Sequence, residues 1–127
     1  MAKEAKKIVL IIEDDEMLLR ALYLSFLHSG FTIATASDGE TGLKMTQRLK
    51  PNLVLLDLLL PKMSGFEYLQ AMKADPALKG IPVIVLSNLG DKGDMEKAKS
   101  LGAQDYFIKA NTDLAELAKK VNLLLKA

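Results

Sequence analysis

Glu13, Asp14 and Asp15 directly follow the apolar run IVLII, Asp57 follows LVLL, Ser87 follows IPVIVL, and Lys109 follows DYFI. Each group stands at the carboxyl end of a short apolar segment. If a fold gathers those ends, carboxylates distant in sequence meet at one site, where they repel one another unless a cation sits among them. Hard oxygen donors without His or Cys suit Mg²⁺, which uses one or two carboxylates, some waters and a phosphoryl oxygen. Asp57 is then placed as a nucleophile toward a phosphoryl donor, since a carboxylate can form an aspartyl phosphate and a metal neutralises the charge that accumulates in transfer. In that chemistry the Ser87 hydroxyl hydrogen-bonds a phosphoryl oxygen and the Lys109 ammonium pairs with one.

The elements that must position these residues are legible from hydrophobic period. Ile8 to Ile12, Leu53 to Leu56 and Ile81 to Leu86 are continuously apolar or nearly so and rich in Val and Ile, as expected of central parallel strands covered on both faces. Phe31 to Thr35 alternates and Asp105 to Ile108 is short, so both suit outer strands. Between the strands lie amphipathic stretches. In the last of these, Leu114, Leu117, Ala118, Val121, Leu124 and Leu125 share one helical face, with Asp113 and Glu116 early and Lys119, Lys120 and Lys126 late, the polarity that a helix dipole favours. Ser37-x-x-Glu40 and Ser64-x-x-Glu67 match the capping-box pattern at the starts of two more helices. Gly30, Gly80 and Gly102 are read as helix stops, and Pro51 separates Leu49 from the next strand. Five alternations of strand and helix imply right-handed crossovers and a five-stranded, doubly wound parallel sheet, in which ligands bind outside the carboxyl ends of the strands.

Composition narrows the function classes. At 127 residues the chain is one domain's worth, with its core expected over residues 7–125. Half of the residues are apolar, and 17 basic residues against 16 acidic leave a net charge of +1, which argues against disorder and against nonspecific nucleic-acid binding. The absence of Cys excludes a disulfide framework and a thiolate nucleophile, and suits a reducing cytosol. The polar start, Met1 to Lys7, and the short apolar run after it resemble neither a signal peptide nor a membrane span. The expectation is a cytoplasmic protein with no membrane or nucleic-acid partner.

Four segments together, IIEDDE at 11–16, LLDLLLPKMSGFE at 55–67, VIVLSN at 83–88 and GAQDYFIK at 102–109, resemble the receiver domain of two-component response regulators, the family of the chemotaxis regulator CheY. Their order and spacing are more specific than any one of them. The resemblance implies a flavodoxin-like sheet of order 2-1-3-4-5. It makes Asp57 the phosphoacceptor and a metal ligand, Asp14 a direct Mg²⁺ ligand, Glu13 a ligand acting through water, and the backbone carbonyl of Leu59 a further ligand. It also makes Ser87 the switch hydroxyl, Tyr106 the switch aromatic and Lys109 the phosphate-pairing cation. The implied donor is a histidine kinase or phosphotransfer protein. The implied output is a changed surface on the fourth helix, fifth strand and fifth helix, offered to a downstream protein partner. Such a domain catalyses its own Mg²⁺-dependent phosphorylation and dephosphorylation without being a conventional enzyme. Two departures from the family pattern bear on the site: Ala110 replaces the usual proline after the lysine, implying a trans and more mobile loop, and Asn88 replaces a small residue, which narrows access to Asp57. Leu59 and Leu89 occupy the positions that in this family flank the water approach to the phosphoryl group.

Blander readings compete with each assignment. Glu13, Asp14 and Asp15 also fit a solvated acidic helix start. Asp57 resists such a reading, because an unpaired carboxylate between LVLL and LLLP is costly to bury. Ser87 and Tyr106 are residue types common at strand ends without function. His28, beside Ser29 and Gly30, reads as a surface residue near a helix end, and the six Met read as packing. The functional alternatives are a pseudo-receiver or structural interaction module that no kinase addresses, and a phosphatase of the haloacid-dehalogenase type. The latter requires a second acid two residues after the nucleophile, where this chain has Leu59. No GxGxxG or GxxxxGK[ST] motif supports nucleotide binding. The leading expectation is a stand-alone receiver without an output domain.

Overall fold

The run IVLII has no polar residue to turn toward water, and the chain uses it as an interior strand. A computed structural model describes residues 6–126, and its first strand, β1 (Ile8–Ile12), is paired on both sides with parallel neighbours. β2 (Thr32–Ala36), β3 (Leu53–Leu56), β4 (Val83–Ser87) and β5 (Asp105–Ile108) complete a sheet of order 2-1-3-4-5. Between and after the strands run α1 (Glu16–Ser25), α2 (Gly39–Leu49), α3 (Gly65–Ala74), α4 (Lys92–Ser100) and α5 (Leu114–Lys126). This is the doubly wound, flavodoxin-like arrangement expected from the alternation of elements.

Strand residues of alternate parity feed two cores. Val9, Ile11, Leu53, Leu55, Ile84 and Leu86 pack with Leu22 and Phe26, from α1 and its end, and with Leu117, Val121 and Leu125 of α5. On the opposite face Leu10, Ile12, Val54, Leu56, Val83 and Val85 pack with Tyr68, Leu69 and Met72 of α3 and Ala98 of α4. Both faces of the central strands are therefore dry, which is why their sequences show no polar alternation. Thr46 of α2 and Tyr68 of α3 are fully buried in the second layer, their hydroxyl oxygens 2.7 Å apart. Among the described residues no helix is long and apolar enough to cross a membrane.

Several boundaries differ from the sequence reading. The second strand is shifted by one residue, to Thr32–Ala36. The fourth begins at Val83, not Ile81, because Pro82 has no N–H for the ladder and contributes only its carbonyl, which accepts from the Val54 amide. It runs on through Ser87. The Ser64/Glu67 capping box is formed in both directions. Ser37 caps nothing: the adjacent Asp38 is the N-cap of α2, its carboxylate accepting from the Thr41 amide at 2.7 Å and the Thr41 hydroxyl at 2.9 Å. Gly102, one residue past the C-cap of α4, has φ +103°. Gly30 also has positive φ, +84°, but it lies beyond the turn that follows the C-cap of α1, Phe26, and does not stop that helix. Gly80 stops no helix. α3 ends at Ala74, and the chain turns at Asp75, whose carbonyl accepts from the Leu78 and Lys79 amides.

Candidate functional site

Register places the acidic residues before any side chain chooses a rotamer. Ile12 of β1 pairs with Leu56 of β3, and the ladder continues one step as the Asp57 amide donates to the Ile12 carbonyl at 3.0 Å. On the other side the Glu13 amide donates to the Ala36 carbonyl at 2.9 Å. Glu13 and Asp57 therefore emerge side by side from neighbouring strands. They are 2% and 4% exposed, which is exceptional for carboxylates and requires compensation.

Lys109 supplies it. Its Nζ lies 2.6 Å from Glu13 Oε1 and 2.8 Å from Asp57 Oδ2, so a single ammonium serves two carboxylates. The remaining oxygens take backbone donors: Glu13 Oε2 accepts from the Asp15 amide at 3.0 Å and Asp57 Oδ1 from the Leu59 amide at 3.2 Å. Burial pushes the Glu13 carboxyl up to about 7; Lys109 and the Asp15 amide pull it down, and the charge of Asp57 adds to the rise. For Lys109, burial opposes the charge, but the hydrogen bonds to Asp57 and Glu13 outweigh it and raise its pKa.

The three consecutive acids thus divide their work. Glu13 is buried against Lys109. Asp14 is exposed, yet it offers an oxygen within a cluster in which ligand atoms of Glu13, Asp14 and Asp57 all lie within 4.8 Å of one another. Asp15 turns away to cap α1, accepting from the Met17 and Leu18 amides. The solvated acidic helix start is therefore right for Asp15 and wrong for Glu13. With only one ammonium, in contact with two of the three carboxylates, the cluster keeps an excess of negative charge on hard oxygen donors, which fits a divalent cation of the Mg²⁺ kind.

Ser87 ends β4 fully buried, and its Oγ accepts from the Leu89 amide at 3.4 Å. Tyr106 of β5 is 7% exposed, and its hydroxyl donates to the Leu89 carbonyl, so it is held by the loop after β4 and not by the acidic cluster. Both residues thus grip one peptide segment from opposite ends. The part played by Leu89 is carried by its backbone, and no residue type could have signalled it. Lys109 opens a short 3-10 turn, Lys109–Asn111, that contains Ala110; all peptide bonds among the described residues are trans. Asn88 is exposed, as is the Leu59 side chain at 56%. His28 is also exposed, in the turn after α1.

A buried carboxylate and lysine pair with a further acid at the carboxyl edge of a 2-1-3-4-5 sheet defines an α/β domain with its chemistry at the strand ends. The model of the response regulator receiver domain matches residues 9–122, and the chain belongs to that family. It is 34% identical over 118 residues to the DNA-binding dual master transcriptional regulator RpaA of Synechocystis, an alignment covering 93% of this chain and 48% of that protein. The chain spans about half the length of such curated relatives. Among solved structures it resembles the Mn²⁺-bound form of the response regulator Rcp1, with a TM-score of 0.84 and 28% identity over 95% of this chain and 96% of that one. It also resembles the phosphorylated cyanobacterial phytochrome response regulator RcpA, with a TM-score of 0.80 and 30% identity over 94% and 91%.

Proposed function

We propose that this receiver accepts a phosphoryl group on Asp57 with Mg²⁺, from a histidine kinase or phosphotransfer protein, and passes the event to a downstream protein partner. The observation that carries this reading is the contact of Asp57 with Lys109 inside an acidic oxygen cluster at the sheet edge. A carboxylate oxygen of Asp57 attacks phosphorus, the P–N bond to the donor imidazole breaks, and the released imidazole keeps the bonding pair. Asp14, Asp57, the carbonyl of Leu59 and, through water, Glu13 would hold the Mg²⁺. When bound, the ion neutralises charge on the phosphoryl oxygens. Lys109, already at Asp57, moves its charge onto a phosphoryl oxygen, and the Ser87 hydroxyl hydrogen-bonds another. A Ser87 drawn toward the phosphoryl group releases the Leu89 amide, and the Tyr106 hydroxyl holds the other end of that residue. The loop between β4 and α4 therefore couples Asp57 chemistry to the surface of α4, β5 and α5.

The test is labelling with acetyl phosphate. One base-labile phosphate is expected, only with Mg²⁺, and Asp57→Asn abolishes it. Mass spectrometry that finds the phosphate on Asp14, Asp15 or Ser87 defeats the assignment, and no labelling of the folded protein leaves the pseudo-receiver.

A further inference from the structure

At the end of the sheet opposite the acidic cluster, the last turns of α3, the residues just after α4 and the loop leading into β4 line a half-open cavity of about 400 Å³. That is within the range of small-molecule sites. Its floor and walls are Leu69, Met72, Val83 and Leu101, and its polar side chains are Lys73 and Lys79, with no carboxylate in the lining. Both lysines are exposed, and neither forms an ion pair with a carboxylate among the described residues. Lys73 donates to the Ser100 carbonyl at 2.9 Å, which holds its ammonium at the junction of the two helices.

A second observation sets the sign of the ligand. In a parallel sheet every helix starts at the carboxyl edge and ends at the amino edge, and here acids cap or open α1 to α4 while bases close α2, α3 and α4. Asp15, Asp38 and Asp91 are N-caps and Glu67 and Asp94 lie in first turns, whereas Arg48, Lys73, Lys97 and Lys99 lie in last turns. The helix C-termini are themselves the negative ends of their dipoles, and at the cavity the full positive charges of Lys73 and Lys79, with Lys97 and Lys99 in the last turn of α4, outweigh those partial charges. We propose that this cavity binds a small amphipathic anion, a carboxylate on an aliphatic or aromatic body. The body lies against Leu69, Met72, Val83 and Leu101, and the carboxylate lies between Lys73 and Lys79. The site goes beyond the phosphoryl reading and does not rest on it, since Val83 and Ser87 are opposite ends of β4.

The experiment is a titration of ¹⁵N-labelled protein with decanoate below its micellar concentration, beside decanol and acetate. Saturable amide shifts centred on Met72, Val83, Leu101 and Gly102 are expected with decanoate. Decanol, with the body alone, and acetate, with the charge alone, should each bind at least about tenfold more weakly. The pair Lys73→Gln and Lys79→Gln, which keeps a donor for the Ser100 carbonyl, should weaken decanoate by a similar factor while the rest of the spectrum is unchanged. Decanol binding as tightly as decanoate, an unaffected Lys-to-Gln variant, or shifts that are absent or centred elsewhere would overturn the proposal.

Discussion

Glu13 shows how a single residue's burial becomes a property of the whole protein. Its carboxyl is raised from 4.5 to about 7, so between those values the folded chain keeps a proton that the unfolded chain has released. Stability of the metal-free protein should therefore fall as pH rises from about 4.5 to 7 and level off above. Urea midpoints across that range measure the slope, and Glu13→Gln should flatten it; an unchanged slope assigns it to other groups. A second residue-scale expectation concerns the lifetime of the phosphoryl group. In-line hydrolysis needs a water held by a polar group, and the exposed Leu59, whose amide touches Asp57, cannot hold one. Leu59→Asn should speed loss of phosphate several-fold, since about 1.4 kcal/mol off the barrier is tenfold. Decay of phosphoprotein at constant Mg²⁺ after donor removal is the measurement. If neither Leu59→Asn nor Leu89→Glu alters it, access at these two positions does not control the lifetime.

At the scale of elements, α3 must start close under Asp57. A Cβ at Gly65 would lie 2.6 Å from the Asp57 carbonyl oxygen and 2.6 Å from Leu58 Cα, both backbone atoms that have little room to move. Gly65→Ala should destabilise by about 1–3 kcal/mol through overpacking, and it should slow labelling by displacing Asp57. Gly80 is the matched control, because a Cβ there meets nothing within 4 Å. Gly80→Ala should be neutral or stabilise by about 0.4–1 kcal/mol through the unfolded chain. Thermal melts of the two variants distinguish close approach from flexibility. Equal effects would mean that Gly65 is not a packing contact.

For the whole molecule, the polar tie between α2 and α3 matters most where the layer is otherwise apolar. Thr46 Oγ1 donates to the Gly42 carbonyl at 2.7 Å, so the Tyr68 hydroxyl is the donor to Thr46. Thr46→Val should cost about 1–3 kcal/mol by stranding a buried hydroxyl. Tyr68→Phe combined with Thr46→Val should cost less than the sum of the two single changes. A double-mutant cycle by chemical denaturation reads the coupling, and strict additivity would show that the two hydroxyls do not support each other.

What the sequence determined by itself was type and order. Continuous Val- and Ile-rich runs mark strands buried on two faces, and alternation with amphipathic helices leaves a doubly wound sheet as the arrangement that covers both. An Asp that would be costly to bury without a partner was visible between LVLL and LLLP for the same reason. The sequence could not settle choices between adjacent residues of similar chemistry. Ser37 and Asp38 are both good caps, and backbone direction at the end of β2 gave the position to Asp38. Glu13, Asp14 and Asp15 are all acids, and only the step of the ladder beyond Ile12 separated the buried one, the exposed one and the cap. Tertiary structure alone placed one ammonium between two carboxylates, two hydroxyl-bearing side chains on one Leu89 peptide segment, and a basic-rimmed cavity at the far end of β4. Each joins residues remote in sequence through backbone geometry, which local periodicity does not record.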